Sequence, residues 1–371
     1  MKFVIFGLTI SSSWGNGHAT LWRGLMKALT SLGHEVVFFE KEAPWYATNR
    51  DLWDMWDGAE LLLYPNWDSV AATARREVRS ADVAIVTSYC PDGREAAALV
   101  LDHAPGQKLF YDLDTPVTLA RLEQGERVSY LPEQGLGDFD LVLSYTGGQA
   151  LAELRSRLGA RRAAPLYGHV DHYWHKPAPN EPWYAADLSY LGTYAADRQD
   201  GVERLLIEPA RQRPRRDFLV GGSAYPDNIE WPRNVRKLEH IPPAHHPSFF
   251  CSSRLTLNVT RADMARMGWC PSGRLFEAAA CGAAIVSDDW AGLGAFFGPG
   301  EEILIARSSE DVVAAHDRSD EELRTIGQRA RERVLDEHTS VHRIRQLLDL
   351  IGNGAPLQHT TELAEIEPCG A

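Results

Sequence analysis

The sequence predicts an α/β protein made of two doubly wound domains that face each other across a cleft, with helices closing the chain. Three observations lead there. The chain has 371 residues, too many for one ordinary core at roughly 100–200 residues per domain. Short β-branched apolar runs alternate with helical patterns in two separate blocks, the mark of parallel sheets covered on both faces. Between the blocks, "GHVDHYWHKPAPNEPWY" (168–184) carries Pro177, Pro179 and Pro182 and no apolar period, so the alternation stops there.

The first block reads strand after strand: "KFVIFGL", "HEVVFFE", "DVAIVTS", "KLFYDL", "DLVLSY" and "APLYG", with helices such as "ATLWRGLMKALTSLG" and "GREAAALVLDHA" between them. It is assigned to residues 1–168, followed by a linker at 169–184. The second block, 185–351, resumes with "DLSYLGTY", "GVERLLIEPARQ", "RDFLVGG", "VRKLEHI", "RLTLNV" and "EILIA", and is charged and helical from Ser319 to Ile351. Residues 352–371 read as a flexible tail. The opening "MKFVIFGLTISSSWGNGH" has an apolar run too short for a signal peptide, and no stretch approaches the roughly 18 apolar residues of a membrane span. A cytoplasmic protein is expected.

A formal charge of −13 and a pI near 5.5 argue against nucleic acid or an anionic membrane as partner, since both call for a basic face. The one basic cluster, Ala210–Arg216, reads as a solvated helix end. Cys90, Cys251, Cys270, Cys281 and Cys369 are odd in number and form no C-x-x-C pair, which fits neither a disulfide framework nor a zinc knuckle.

Ligands of doubly wound sheets sit beyond the carboxyl ends of the strands. After the first strand comes "SSSWGNGHATLWRG", where Gly15 and Gly17, flanking Asn16, let backbone approach a ligand and the helix opening at His18 is expected to aim free N–H groups at it. Gly-Asn-Gly-His-Ala-Thr is not a dinucleotide fingerprint. His18 is the best candidate for a general base, its plain alternative being a helix-start residue with a satisfied hydrogen bond. In the second block three strand ends are polar or glycine-rich: Gly192, Thr193 and Arg198; Gly221, Gly222 and Ser223; Thr260 and Arg261. Guanidinium groups there suit a diphosphate. A fourth stretch, "PSGRLFEAAACGAAIVSD", starts a helix of small residues at Ser272, Gly273 and Arg274 and puts one carboxylate, Glu277, at its front. The plain reading of Glu277 is a solvated first-turn residue favoured by the helix dipole, an effect of about 0.3–1 kcal/mol.

Two metal patterns are weak. Asp112 and Asp114 form a D-x-D, but Asp138 and Asp140 form another, as expected by chance. His169, His172 and His175 recur at intervals of three in the proline-rich linker, a spacing that does not fix a tetrahedral site. Trp45, Trp53, Trp56 and Trp67, with Tyr46 and Tyr64, crowd one region and offer either sugar-stacking faces or core.

On "LSYLGTYAADR", "NVTRADM" and "PSGRLFEAAACGAAIVSD", the second domain closely resembles the group-1-type glycosyltransferases of the spore-maturation CgeB-like family, and the first domain resembles their acceptor half more loosely, over about Lys2–Ile351. The resemblance implies the GT-B fold, two Rossmann-like domains around a cleft, and a hexosyltransferase-like enzyme. It implies a nucleoside-diphosphate sugar as co-substrate, no metal or other cofactor, and a glycan, protein or small molecule as acceptor. Glu277 would accept hydrogen bonds from the ribose hydroxyls, with Ser272, Gly273, Arg274 and the three strand ends around the rest of the donor. Gly15, Asn16, Gly17 and Asp114 would lie on the acceptor side. Related retaining enzymes often carry a glutamate eight residues before this one, where the chain has Trp269. An inverting reaction needs a base instead, and His18 is placed for it. The same donor pocket would also serve a nucleotide-sugar epimerase or hydrolase, or a non-catalytic sugar-nucleotide-binding protein.

Overall fold

The computed structural model describes residues 1–352, so the tail placed at 352–371 lies, except for Gly352, outside the described residues. Seven parallel strands form the first sheet: β1 (Lys2–Gly7), β2 (Glu35–Lys41), β3 (Ala59–Tyr64), β4 (Val83–Thr87), β5 (Gln107–Asp112), β6 (Leu141–Ser144) and β7 (Ala163–Pro165). Six more form the second: β8 (Ala186–Leu191), β9 (Phe218–Gly221), β10 (Val235–Leu238), β11 (Ser253–Asn258), β12 (Ile285–Asp288) and β13 (Leu304–Ala306).

Strand order runs β3-β2-β1-β4-β5-β6-β7 in the first sheet and β10-β9-β8-β11-β12-β13 in the second. The order therefore reverses between β1 and β4, and again between β8 and β11. A crevice opens at such a reversal because successive connections leave to opposite faces. These two crevices position everything that follows.

The central strands are continuous buried runs, β1 through Phe3, Val4, Ile5 and Phe6 and β4 over its whole length, as strands covered on both sides must be. β3 was not foreseen from the sequence. It is an edge strand, mostly half-exposed, with "AELLLY" following a tryptophan-rich loop, and its strand character comes from pairing with β2 along Val36↔Ala59 to Lys41↔Tyr64. The terminal helices, read from sequence with the second domain, divide. Helix Asp320–Glu337 packs with the second sheet's core through Ala330 and Val334, whereas Ile344, Leu347 and Ile351 of helix Ser340–Gly352 join Phe3, Ile5, Leu25 and Leu29 under the first sheet. The chain thus crosses between the domains twice. At the second crossing Val170 bridges Thr339, and the Arg343 guanidinium donates to the carbonyls of Tyr167 and Gly168.

Three of the four arginines of the basic stretch are in ion pairs: Arg211 with Glu203, Arg213 with Asp317, Arg216 with Asp187. The four cysteines among the described residues, Cys90, Cys251, Cys270 and Cys281, are free. No helix among the described residues is long and apolar enough to cross a membrane.

Candidate active site

Both strand-order reversals open onto one cavity of about 560 Å³. Gly15, Asn16, Gly17, His18 and Asp114 line it from the first domain, and Gly192, Thr193, Arg198, Gly221, Gly222, Ser223, Thr260, Arg261, Ser272, Gly273, Arg274 and Glu277 from the second. Residues picked singly from strand ends thus converge.

The first wall is a loop hung on carboxylates. Glu40 of β2 is fully buried and accepts from Thr9 Oγ1 at 2.7 Å, from the N–H groups of Ile10 and Ser11 at 2.8 and 3.0 Å, and from Ser11 Oγ. Asp51, held by Arg23, takes Ser13 in the same way. The loop ends at Gly15, whose φ of +63° suits glycine and whose side-chain position faces Ser223 Oγ of the other domain at 3.9 Å. Helix His18–Ser31 follows. Its first N–H is not free as expected: Asn16 Oδ1 accepts from His18 N–H at 3.1 Å.

The His18 imidazole is part-buried, with Nε2 3.8 Å from Asp114 Oδ2 and Nδ1 without a partner. Asp114 accepts from Tyr89 Oη at 2.8 Å and lies 4.0 Å from Arg261 Nη1, across the cleft. Burial pulls the His18 pKa below its ordinary value, against Asp114 and with Arg261, so the ring is neutral at pH 7. The two carboxylates of the D-x-D diverge. Asp112 points into the protein, accepts from Asp114 N–H and Thr118 Oγ1, and is pushed up to about 6 by burial, while Asp114 faces the cavity.

The second wall is packed backbone to backbone. A Cβ on Gly222 would run into the Gly192 carbonyl, and one on Gly221 would come within 2.7 Å of Ile241; glycine is needed here so that neighbouring strand ends can touch. Thr260 donates its hydroxyl to Asp288, which also accepts Thr260 N–H. Arg261 is bound to Asp197 at 3.0 Å, Arg198 donates to Thr193 O at 3.2 Å with its Nε unpartnered, and Arg274 donates to Leu191 O and Asn258 Oδ1 beside the Tyr190 ring. Helix Gly273–Ala280 starts at Ser272 with no side-chain cap, so its leading N–H groups are open to the cavity.

Glu277 is neither at the front of this helix nor solvated. It is the fifth residue, 12 % exposed, and its Oε1 accepts from Thr20 Oγ1 of the first domain at 3.1 Å. Burial alone would raise its pKa; His175, His246, Thr20 and Arg274 outweigh that and hold it below the usual carboxylate range. Trp269, eight residues earlier, has φ +51° and lays its ring against Gly148 and Gly292 instead of in the cavity.

The three linker histidines part company. His169 Nδ1 pairs with Ser340 Oγ at 2.9 Å, His172 packs on Tyr173 with the rings tilted, and His175 turns toward Glu277. The aromatic cluster splits too: Trp67 meets Phe6 and Trp56 packs on the first core, Tyr64 is buried, Tyr46 lines the cavity, and Trp45 and Trp53 stay exposed. Sequence reasoning passed over His240 and His246, although "EHIPPAHHP" follows β10 and the strand-end rule could have flagged it. Thr20 and Tyr89 carried no such signal.

Residues 198–349 match a family model described as glycosyl transferase-like; the match covers most of the second domain and none of the first. No curated protein sequence matches the chain. Among solved structures, sucrose-phosphate synthase from Thermosynechococcus elongatus superposes with a TM-score of 0.68 at 15 % identity, over 96 % of this chain and 100 % of that one. Anabaena HepE, in complex with UDP and glucose, gives 0.65 at 13 % over 95 % and 100 %. An alpha-glucosyltransferase in complex with UDP-glucose and DNA containing an abasic site gives 0.67 at 13 % over 95 % and 99 %. The fold these likenesses show is GT-B.

Proposed function

We propose that the protein transfers a hexose from a UDP-sugar to an acceptor held against the first domain, with inversion at the anomeric carbon and without a metal at the diphosphate. One arrangement carries the reading: across a single cavity, the His18–Asp114 pair faces the uncapped start of helix Gly273–Ala280 with Glu277 one turn further in. The positive end of that helix and the nearby Arg198 and Arg274 stabilise the departing diphosphate, and Glu277 accepts from the ribose hydroxyls. UDP is chosen because HepE and the alpha-glucosyltransferase hold UDP or UDP-glucose.

Neutral His18 takes the proton of the acceptor hydroxyl as its oxygen attacks the anomeric carbon and the bond from that carbon to the β-phosphate oxygen breaks. Asp114, 3.8 Å from Nε2, stabilises the imidazolium that forms. With Trp269 where retaining relatives often carry glutamate, direct displacement is the simpler course. A formal charge of −13 sets the acceptor apart from the DNA in the alpha-glucosyltransferase complex, since a polyphosphate acceptor needs a basic face.

The test is product analysis on a panel of nucleotide-sugars and acceptors in EDTA. Released UDP with a glycosylated product of inverted configuration is expected. Isomerised donor, or free sugar without transfer, would mean an epimerase or hydrolase; binding without turnover would mean a carrier. Loss of turnover in EDTA that Mn²⁺ restores would refute metal independence.

A further inference from the structure

Where Glu277 and His246 line the cavity, three side chains meet that come from distant parts of the chain: His175 from the linker, His246 from helix His246–Cys251 and Glu277 from helix Gly273–Ala280. One ligating atom of each lies within 4.8 Å of the other two. His175 Nε2 stands 4.0 Å from Glu277 Oε1, and His246 Nδ1 stands 3.9 Å from Glu277 Oε2. Neither is a hydrogen bond, which would need about 2.7–2.9 Å in a charged pair. Both nitrogens of His175 and Nδ1 of His246 are buried with no partner, although buried polar groups are normally satisfied.

The other nitrogen of His246 explains the orientation. Nε2 donates to the Ile241 carbonyl at 3.1 Å, so in the neutral ring that burial favours Nδ1 carries the lone pair, and it is aimed at a carboxylate that also only accepts. Two acceptors facing each other call for a cation between them. A backbone carbonyl holding the far nitrogen is the usual support of a metal-bound histidine. Arg274, on the same helix, does not stand between them, because its Nε and Nη1 donate to Leu191 O and Asn258 Oδ1.

We propose that His175, His246 and Glu277 bind a divalent cation of the zinc class. Two imidazoles and a carboxylate are a borderline-soft set that suits Zn²⁺ or Co²⁺ and not Mg²⁺ or Ca²⁺. Metal–ligand bonds of about 2.0–2.1 Å put tetrahedral ligands roughly 3.4 Å apart, so the three atoms close by about 0.5–1.4 Å on binding. Three protein ligands leave a fourth position, and Glu277 and His246 both line the cavity, so that position opens toward it. The cation shares Glu277 with the proposed ribose contact but does not depend on it.

The experiment uses the full chain without a histidine tag, free of nucleotide, titrated with Co²⁺ and, separately, Zn²⁺. One equivalent of Co²⁺ is expected to give visible d–d bands of four- or five-coordinate intensity, displaced by Zn²⁺. His175→Ala and His246→Ala should each weaken Zn²⁺ binding by more than about 100-fold, since even groups that only support a ligand are worth about 10–100-fold. His246→Cys guards against misfolding, because thiolate is also a zinc ligand: it should keep the site and add a near-ultraviolet sulfur-to-cobalt band. Octahedral-type weak absorption, or bands unchanged in both alanine variants, overturns the proposal. A chain that binds UDP and ignores Zn²⁺ overturns the metal site alone; one that takes Zn²⁺ and not UDP overturns the UDP-sugar reading and leaves the metal site standing.

Discussion

The two walls of the cavity are made rigid by opposite means. On the first, the buried loop from Thr9 to Ser13 is held by charge, with Glu40 and Asp51 gathering its hydroxyl and N–H groups. On the second, Gly192, Gly221 and Gly222 leave no room at all, and the strand ends hold one another by contact. A carboxylate anchor keeps a loop in place while leaving its tip open, which suits the side that would carry a base and admit an acceptor. Close backbone packing fixes the positions of helix starts and strand ends, which suits the side that would grip a diphosphate.

The comparison breaks most visibly at the chemistry. His18→Ala is expected to lower kcat by about 10²–10⁴-fold and to leave UDP affinity within a few-fold, because a positioned base contributes about that much. The pH profile sharpens the point. Burial lowers the His18 pKa, so the neutral base persists below pH 6.5 and kcat/KM of the wild type should fall only on the acid side of that value; a limb centred at or above 6.5 would take His18 out of the role. Poor UDP binding with normal turnover at saturation would make it a phosphate ligand instead.

On the other wall, UDP at 100 times its dissociation constant should add about 2.7 kcal/mol of stability. Glu277→Ala should abolish most of that thermal shift with the fold intact by circular dichroism, and an undiminished shift would end the ribose assignment. The smallest effects test the walls themselves. Gly222→Ala should cost about 1–3 kcal/mol by overpacking, whereas Gly17→Ala, with nothing within 4 Å of the added methyl, should stay within about 0.5 kcal/mol. Glu40→Gln should cost about 1.5–3 kcal/mol, since an amide NH₂ would face the N–H donors of Ile10 and Ser11 where charge-assisted bonds now form. Denaturant unfolding of the three variants measures the contrast; equal costs at Gly17 and Gly222 would contradict it.

How far the site could be read from sequence depended on whether a residue's neighbour was local. Gly15, Gly17, Gly192 and Gly222 follow strands, so their place at the carboxyl edge came from the alternation alone. His18 and Asp114 were each legible for the same reason, but their approach to 3.8 Å was not, because it depends on β1 and β5 lying two strands apart in the sheet order. Glu277 was legible as a lone charge, with a solvated first turn as its plain reading, but its enclosure was not, since Thr20, His175 and His246 lie 257, 102 and 31 residues away.

The sequence by itself determined the two parallel sheets, the linker between them and the polar strand ends, because periodicity, prolines and glycines act within a few residues. Only the tertiary structure decided that β3 is a strand, that the last helix returns to the first domain, and that Trp269 packs against glycines instead of facing the cavity. It also turned His175 away from its neighbours in sequence and toward Glu277. Pairing at an edge, docking of an apolar helix face and burial of a charge are all contacts between residues far apart in the chain, and no local pattern encodes which of the available partners will be the one that packs.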